Sequence, residues 1–96
     1  MKPSDRLNAN RQAIRDAVRR FNAANPRVFG SVARGEDRED SDLDILVDAT
    51  DDMTLFDLGG LREELQALLS CRVDVVTSGG LRSAMKARVL ADAERL

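Results

Sequence analysis

Asp42 and Asp44 stand one residue apart where an apolar run, Leu43 to Val47, begins, and a Gly30-Ser31 pair lies ten residues upstream of them. On a strand, side chains two apart share a face, so the two carboxylates converge while Leu43 and Ile45 turn into the core. Acids that close repel, and at neutral pH one is driven toward protonation unless a cation relieves the conflict. Paired oxygen ligands with open coordination positions suit Mg²⁺, which keeps waters and substrate phosphates in its shell. Asp74 is the only acid in the run Arg72-Val73-Asp74-Val75-Val76, where an ionised group is costly without a partner. If its strand lies beside that of Asp42 and Asp44, three carboxylates can hold two metal ions, an arrangement suited to in-line phosphoryl displacement. The alternative for Asp74 is an edge-strand acid facing water.

Gly30 lets the backbone approach a phosphate, and the Ser31 hydroxyl with the following N–H groups can donate to phosphate oxygens. Arg34 has two readings: a cation beside the same phosphates, or a surface ion pair with Glu36, Asp37 or Glu39. Taken singly, the aspartate pair reads as a solvated strand start and Gly30-Ser31 as an ordinary turn. Their fixed spacing, with Asp74 added, favours a phosphate cradle followed by metal ligands.

These residues need elements to position them. Leu7, Ile14, Ala17, Val18 and Phe21 recur at helical spacing and predict a helix from Ser4 to about Asn25, ended by Asn25-Pro26. Ser4 or Asp5 is its expected cap. Arg11, Arg15 and Arg19 line a flank of that helix and read as a solvated face. Arg27 to Ser31 predicts a short strand, Val32 to Ser41 a loop with room for one helical turn, and Leu43 to Val47 a central strand covered on both faces. Asp48 reads as a cap or loop residue. Thr54, with Asp57 three residues on, caps a helix to Ser70 whose expected inner face is Leu55, Leu58, Leu61, Leu65, Leu68 and Leu69. Gly59-Gly60 weakens it and is expected to bend or break it. A third strand, Arg72 to Thr77, a Ser78-Gly79-Gly80 turn and a last helix from Leu81 to Leu96 complete the chain, with Leu81, Met85, Val89 or Leu90, and Ala93 inward. The short first connection suits an antiparallel strand pair and the helical second one a parallel crossover. The expected fold is α/β (α+β): one domain, residues 1–96, with a small three-stranded mixed sheet flanked by helices.

Composition narrows the chemistry. The chain of 96 residues has 43% apolar and 33% charged residues, enough for a thin core. A net charge of −2 and the absence of Trp and Tyr argue against strong direct nucleic-acid binding. There is no histidine, so histidine triads and histidine-based zinc sites are excluded. The single cysteine, Cys71, cannot form an internal disulfide; it reads as a small buried side chain in a cytoplasmic protein. No membrane span or signal-like segment is expected.

Gly30-Ser31, ten residues and then Asp42-Leu43-Asp44, with Asp74 in a later strand, resembles the signature of the DNA polymerase β-like nucleotidyltransferase superfamily. The longer runs GSVARGEDREDSDLDILV, LREELQALLSCRVDVVT and GGLRSAMKARVLADAERL resemble its minimal nucleotidyltransferases, the MNT-type antitoxins, over nearly the whole chain. One departure is Ser70-Cys71, where a glycine is common. The resemblance implies an enzyme in which Asp42 and Asp44 are the metal-binding pair, Asp74 is the third ligand and candidate base, and Gly30 and Ser31 are the phosphate-binding turn. It implies Mg²⁺, with two ions, ATP as substrate, and transfer of AMP to a tyrosine of a HEPN-domain toxin encoded nearby, which is thereby neutralised. Larger superfamily enzymes hold the acceptor in a second domain; with no room for one here, a protein acceptor is expected to supply the missing surface. The rival readings are a non-catalytic antitoxin that acts by binding, and nucleotidyl transfer to RNA or a small molecule.

Overall fold

The strand that carries Asp44 is the centre of the molecule. In a computed structural model describing residues 1–96, β2 (Leu43–Ala49) lies between β1 (Ala23–Phe29), antiparallel to it, and β3 (Val73–Thr77), parallel to it. Leu43, Ile45, Leu46 and Val47 are all fully buried, as a strand covered on both faces requires. Leu43, Ile45 and Val47 face one side by alternation and join Ile14, Val18, Leu61, Leu65, Leu69 and Val75 in a single core. Asp44, Leu46 and Asp48 alternate with them toward the other face.

The first helical pattern is two helices. α1 (Pro3–Ala9) and α2 (Arg11–Arg20) are separated at Asn10, whose side-chain amide donates to the Arg6 carbonyl at 2.8 Å and competes with the helical ladder. Neither Ser4 nor Asp5 acts as the cap residue. Instead the carboxylate of Asp37, from the loop before β2, accepts the Ser4 N–H at 2.9 Å, and Asp5 accepts the Lys2 N–H. The helix ends at Arg20, well before Asn25-Pro26. Asn22 adopts a left-handed φ of 59°, which asparagine tolerates, and the chain is already strand at Ala23. Pro26 therefore lies inside β1, at a register shift between Ala24 and Arg27 where Asn25 has φ 52°. A bulge is one of the few places in a sheet where a residue without an N–H fits.

α3 (Gly30–Ala33) is the single helical turn expected after the first strand. α4 (Leu55–Leu69) is capped by Thr54, whose hydroxyl accepts the Asp57 N–H at 3.1 Å while Asp57 accepts the Thr54 N–H at 2.9 Å. It runs unbroken through Gly59-Gly60, and the missing side chain at Gly60 makes room for the Phe21 ring. Its buried face is narrower than the leucine pattern suggests. Leu61, Leu65 and Leu69 are buried, Leu58 is partly so, but Leu55 and Phe56 are 86% and 93% exposed and Leu68 lies at the surface.

The C-terminal helix is also shorter than expected. After a 3₁₀ turn at Ser78–Gly80, α5 covers Ser83–Asp92 with only Val89 buried; Met85 and Leu90 are exposed. The chain then extends as β4 (Glu94–Arg95), pairing antiparallel with Arg27 and Val28, and the Leu96 N–H donates to the Pro26 carbonyl. The sheet is thus four-stranded, in the order β3-β2-β1-β4, where the sequence predicts three strands, and the edge that β1 would present is covered by the short fourth strand.

Candidate active site

Register brings the acids together. Asp44 and Asp74 are direct partners across the parallel β2–β3 pair, and Phe29, the residue before Gly30, is the partner of Asp44 across β1–β2. Asp42 sits two residues from Asp44, just before β2, on the same face. The phosphate-type turn and the three carboxylates therefore meet at one edge of the sheet. Gly30 has φ 74°, and a Cβ built there would run into Asp44 Oδ2. Glycine is needed at that position both for the backbone conformation and for the close approach of the acid.

Asp44 carries the electrostatic strain. Burial first, then the charges of Asp74 and Asp42, push its carboxyl from the ordinary 3.8 up to about 6, with Arg34 acting in the opposite direction. Asp42 is paired with Arg72, whose Nε lies 2.9 Å from Asp42 Oδ1, and Asp74 is exposed. No three acidic side chains of the chain stand close enough together to hold one metal ion between them, so the three-carboxylate cluster expected from the sequence is not closed up here. Asp42, Asp44 and Asp74 line an open cleft of about 440 Å³ together with Arg62, Gln66, Arg72 and Val73. A half-buried carboxylate with two acid neighbours is a donor set that a hard divalent cation satisfies, so the residues fit Mg²⁺.

On the other side of Gly30 lies a second cavity of about 240 Å³, bounded by Phe29, Gly30, Arg34, Met85 and Arg88. Arg34 is held there by two carboxylates: Nε donates to Glu36 at 3.1 Å and Nη1 to Asp92 at 2.7 Å. The Glu36 pair was one of its two sequence readings; the Asp92 pair, from α5, has no local signal in the sequence. Arg34 nevertheless borders the cavity beside Gly30, and its charge reaches Asp44. Ser31 is partly exposed at the start of α3, and its carbonyl accepts the Glu36 N–H, which fixes the loop that follows.

Several residues at the site have no motif to reveal them. Arg62 and Gln66 face the cleft because they are four apart on α4, and both touch the start of β3: Arg62 Nε donates to the Val73 carbonyl and Gln66 Oε1 accepts the Val73 N–H. Arg72 precedes Asp74 by two and so shares its face. Asp48 belongs elsewhere. It accepts from the Ser78 hydroxyl at 2.8 Å, from Asn25 and from Arg27, in that order the causes that hold its carboxyl below the usual range against its burial. It fastens β1, β2 and the turn after β3 at the far end of the sheet. Cys71 is half-buried against the core, and burial raises its thiol pKa, as for an inert side chain.

With this geometry in hand, comparison with known proteins gives a consistent picture. The model of the nucleotidyltransferase domain matches residues 11–95. A protein adenylyltransferase, MntA, of Thermococcus cleftensis is 43% identical over 84 residues, covering 88% of this chain and 82% of the relative. A solved structure described as a candidate minimal nucleotidyltransferase superposes with a TM-score of 0.87 at 45% identity, covering 97% of this chain and 95% of the other. At the level of fold alone, a toxin-antitoxin structure with AMP-PNP gives a TM-score of 0.78 at 24% identity, over 90% of this chain and 71% of the other. A complex of a tri-AMPylated Shewanella oneidensis HEPN toxin with its MNT antitoxin gives 0.71 at 21% identity, over 93% and 70%.

Proposed function

The chain belongs to the family of nucleotidyltransferase domains, and on that premise we propose that it is a Mg²⁺-dependent protein adenylyltransferase that moves AMP from ATP onto a tyrosine of a cognate HEPN-type toxin and so neutralises it. The observation that carries this reading is the meeting of Gly30 with Asp44, and of Asp44 with Asp74, at one sheet edge. The MntA relative is named a protein adenylyltransferase, and the fold neighbours include an AMP-PNP complex and an AMPylated toxin with its antitoxin.

The roles follow from position. Gly30 admits the triphosphate close to the backbone, and the Ser31 hydroxyl donates to its β- and γ-oxygens. Arg34 adds positive charge on that side once it leaves Asp92 or Glu36. Asp42 and Asp44 would hold Mg²⁺ beside the triphosphate, with Asp74 contributing to a second ion. When bound, Mg²⁺ supplies the charge that neutralises the phosphates and makes the attacking hydroxyl more acidic. Asp74, exposed on the outer strand, takes the tyrosine proton. The phenolic oxygen forms a bond to the α-phosphorus, the bond to the bridging α–β oxygen breaks, and pyrophosphate leaves with that electron pair.

The test is intact mass measurement of the partner toxin after incubation with the chain, ATP and Mg²⁺. The expected result is the addition of one or more AMP units, lost with Asp42→Asn or Asp44→Asn while circular dichroism stays native. A toxin silenced equally well by both variants, with no change in mass, overturns the catalytic reading in favour of inhibition by binding.

A further inference from the structure

The open cleft on the β3 side of the acids is lined by three carboxylates and, beside them, by the hydrogen-bond donors Arg62, Gln66 and Arg72. Sheet order puts it on the side of Asp44 away from Gly30, since β1 and β3 flank β2 on opposite sides. The two guanidinium groups there share a feature. Arg62 is tethered through Nε to the Val73 carbonyl at 3.3 Å, and Arg72 through Nε to Asp42 at 2.9 Å. Gln66 is tethered through Oε1 to the Val73 N–H at 3.2 Å. In each case the terminal amino or amide nitrogens have no hydrogen-bond partner within the chain. Arg62 and Gln66 are thus anchored to the strand that carries Asp74 and Arg72 to the acid just before β2, and all three present unused donors to the cleft.

The rest of the molecule offers the surface little reason to be cationic, since the net charge is −2. A forked donor pair beside a carboxylate cluster recognises an anion, and arginine does so with directional, paired hydrogen bonds. An anion that bound here would lie next to Asp74, where the acceptor hydroxyl must come. We infer that Arg62 and Arg72, with Gln66, form an acceptor-side subsite that selects a hydroxyl flanked by an anionic group: a neighbouring side-chain carboxylate, or the phosphodiester of a nucleotide already transferred. This inference rests on the adenylyltransferase reading for its catalytic meaning, but the binding it predicts does not depend on turnover.

Three fluorescein-labelled peptides separate the outcomes: one with a tyrosine flanked by glutamates, one with the same tyrosine flanked by glutamines, and the glutamine peptide carrying AMP on its tyrosine. Fluorescence anisotropy with the full chain, Mg²⁺ and α,β-methylene-ATP, whose α–β bridge does not break, reads their affinities. At least one anionic peptide is expected to bind about tenfold tighter than the neutral one, with a preference that shrinks as salt rises. Which anionic peptide is preferred identifies the source of the anion. In the Arg62→Gln/Arg72→Gln chain the preference is expected to vanish, and Arg62→Gln alone, which leaves the Arg72–Asp42 pair in place, is expected to weaken it about threefold while AMP-PNP, measured alone, binds as before. Equal affinity for all three peptides, or a preference that survives the double substitution, overturns the subsite. An Arg62→Gln chain that loses AMP-PNP binding in proportion also overturns it, by placing that arginine on the triphosphate side. If the unaltered chain binds no AMP-PNP but still prefers an anionic peptide, the nucleotidyltransferase reading fails and the subsite stands.

Discussion

Asp44 is a carboxylate kept where the apo protein gains nothing from it. Its folded-state pKa of about 6, against 3.8 ordinarily, means that the folded chain holds the proton more tightly than the unfolded chain does. The associated stability is fully present below 3.8, declines as pH rises between the two values, and is gone above about 6. Asp44→Asn removes the dependence. In metal-free buffer at about pH 7.5 the variant is expected to be more stable than the parent by about 1 kcal/mol, a figure discounted for solvent screening of a half-buried group. Urea titrations across pH should show that gap closing toward acid. Added Mg²⁺ should stabilise the parent and not the variant, which separates a metal site from a merely strained acid. Gly30 gives a second residue-scale prediction. Gly30 and Gly35 both have positive φ, 74° and 73°, but a Cβ meets Asp44 only at Gly30 and meets nothing at Gly35. Alanine at either should cost about 1 kcal/mol of backbone strain. Only Gly30→Ala is expected to abolish AMP transfer, as toxin mass measurement would reveal; comparable activity in the two variants would mean that the close approach is not required.

At the scale of elements, most of the site was legible because β-structure repeats every two residues and its parallel pairing was implied by a helical connection. Asp42, Asp44 and Asp74 needed only alternation and adjacency to be placed together. What the sequence could not show were contacts made by geometry far along the chain: Asp37 on the Ser4 N–H, Arg34 on Asp92, and β4 on β1. The helix boundaries were misread where asparagine, not proline, set the stop, as at Asn10 and Asn22. The leucines of α4 outnumber the positions that its packing covers, so pattern alone over-counted its inner face. Two positions on that helix region are open to test. Gly59 has free space for a side chain whereas a Cβ at Gly60 would stand 2.6 Å from the Phe21 ring. Gly59→Ala is expected to stabilise the fold by about 0.5–1 kcal/mol through helix propensity, with Gly60→Ala neutral or destabilising because the ring must shift; thermal melts of both decide it. Ser70 closes the same helix in the left-handed region at φ 53°, a conformation that glycine adopts without steric cost. Ser70→Gly should add roughly 0.5–1 kcal/mol without altering transfer.

For the whole molecule, the decisive property is a thin core around a charged rim. The radius of gyration is 12.3 Å and 19 of 96 residues are buried, so stability rests on few side chains and responds sharply to anything bound by the folded state alone. α5 is held by Val89, by β4 and by the Arg34–Asp92 pair, and that pair joins it to the turn where the triphosphate is proposed to bind. Nucleotide binding should therefore be visible in the melting of the entire domain. At about 100 times its Kd, a ligand of the folded state adds about 2.7 kcal/mol. In a domain of this size each kcal/mol moves Tm by about 4–8 °C, so AMP-PNP with Mg²⁺ is expected to raise Tm by roughly 10–20 °C. Asp42→Asn and Asp44→Asn should each lose most of that rise, and Arg34→Gln part of it, because on the proposed reading the cation flanks the phosphates and is not among the metal ligands. A full rise in both aspartate variants would mean that nucleotide binds without the acidic edge. In that case the three carboxylates would need another explanation than catalysis.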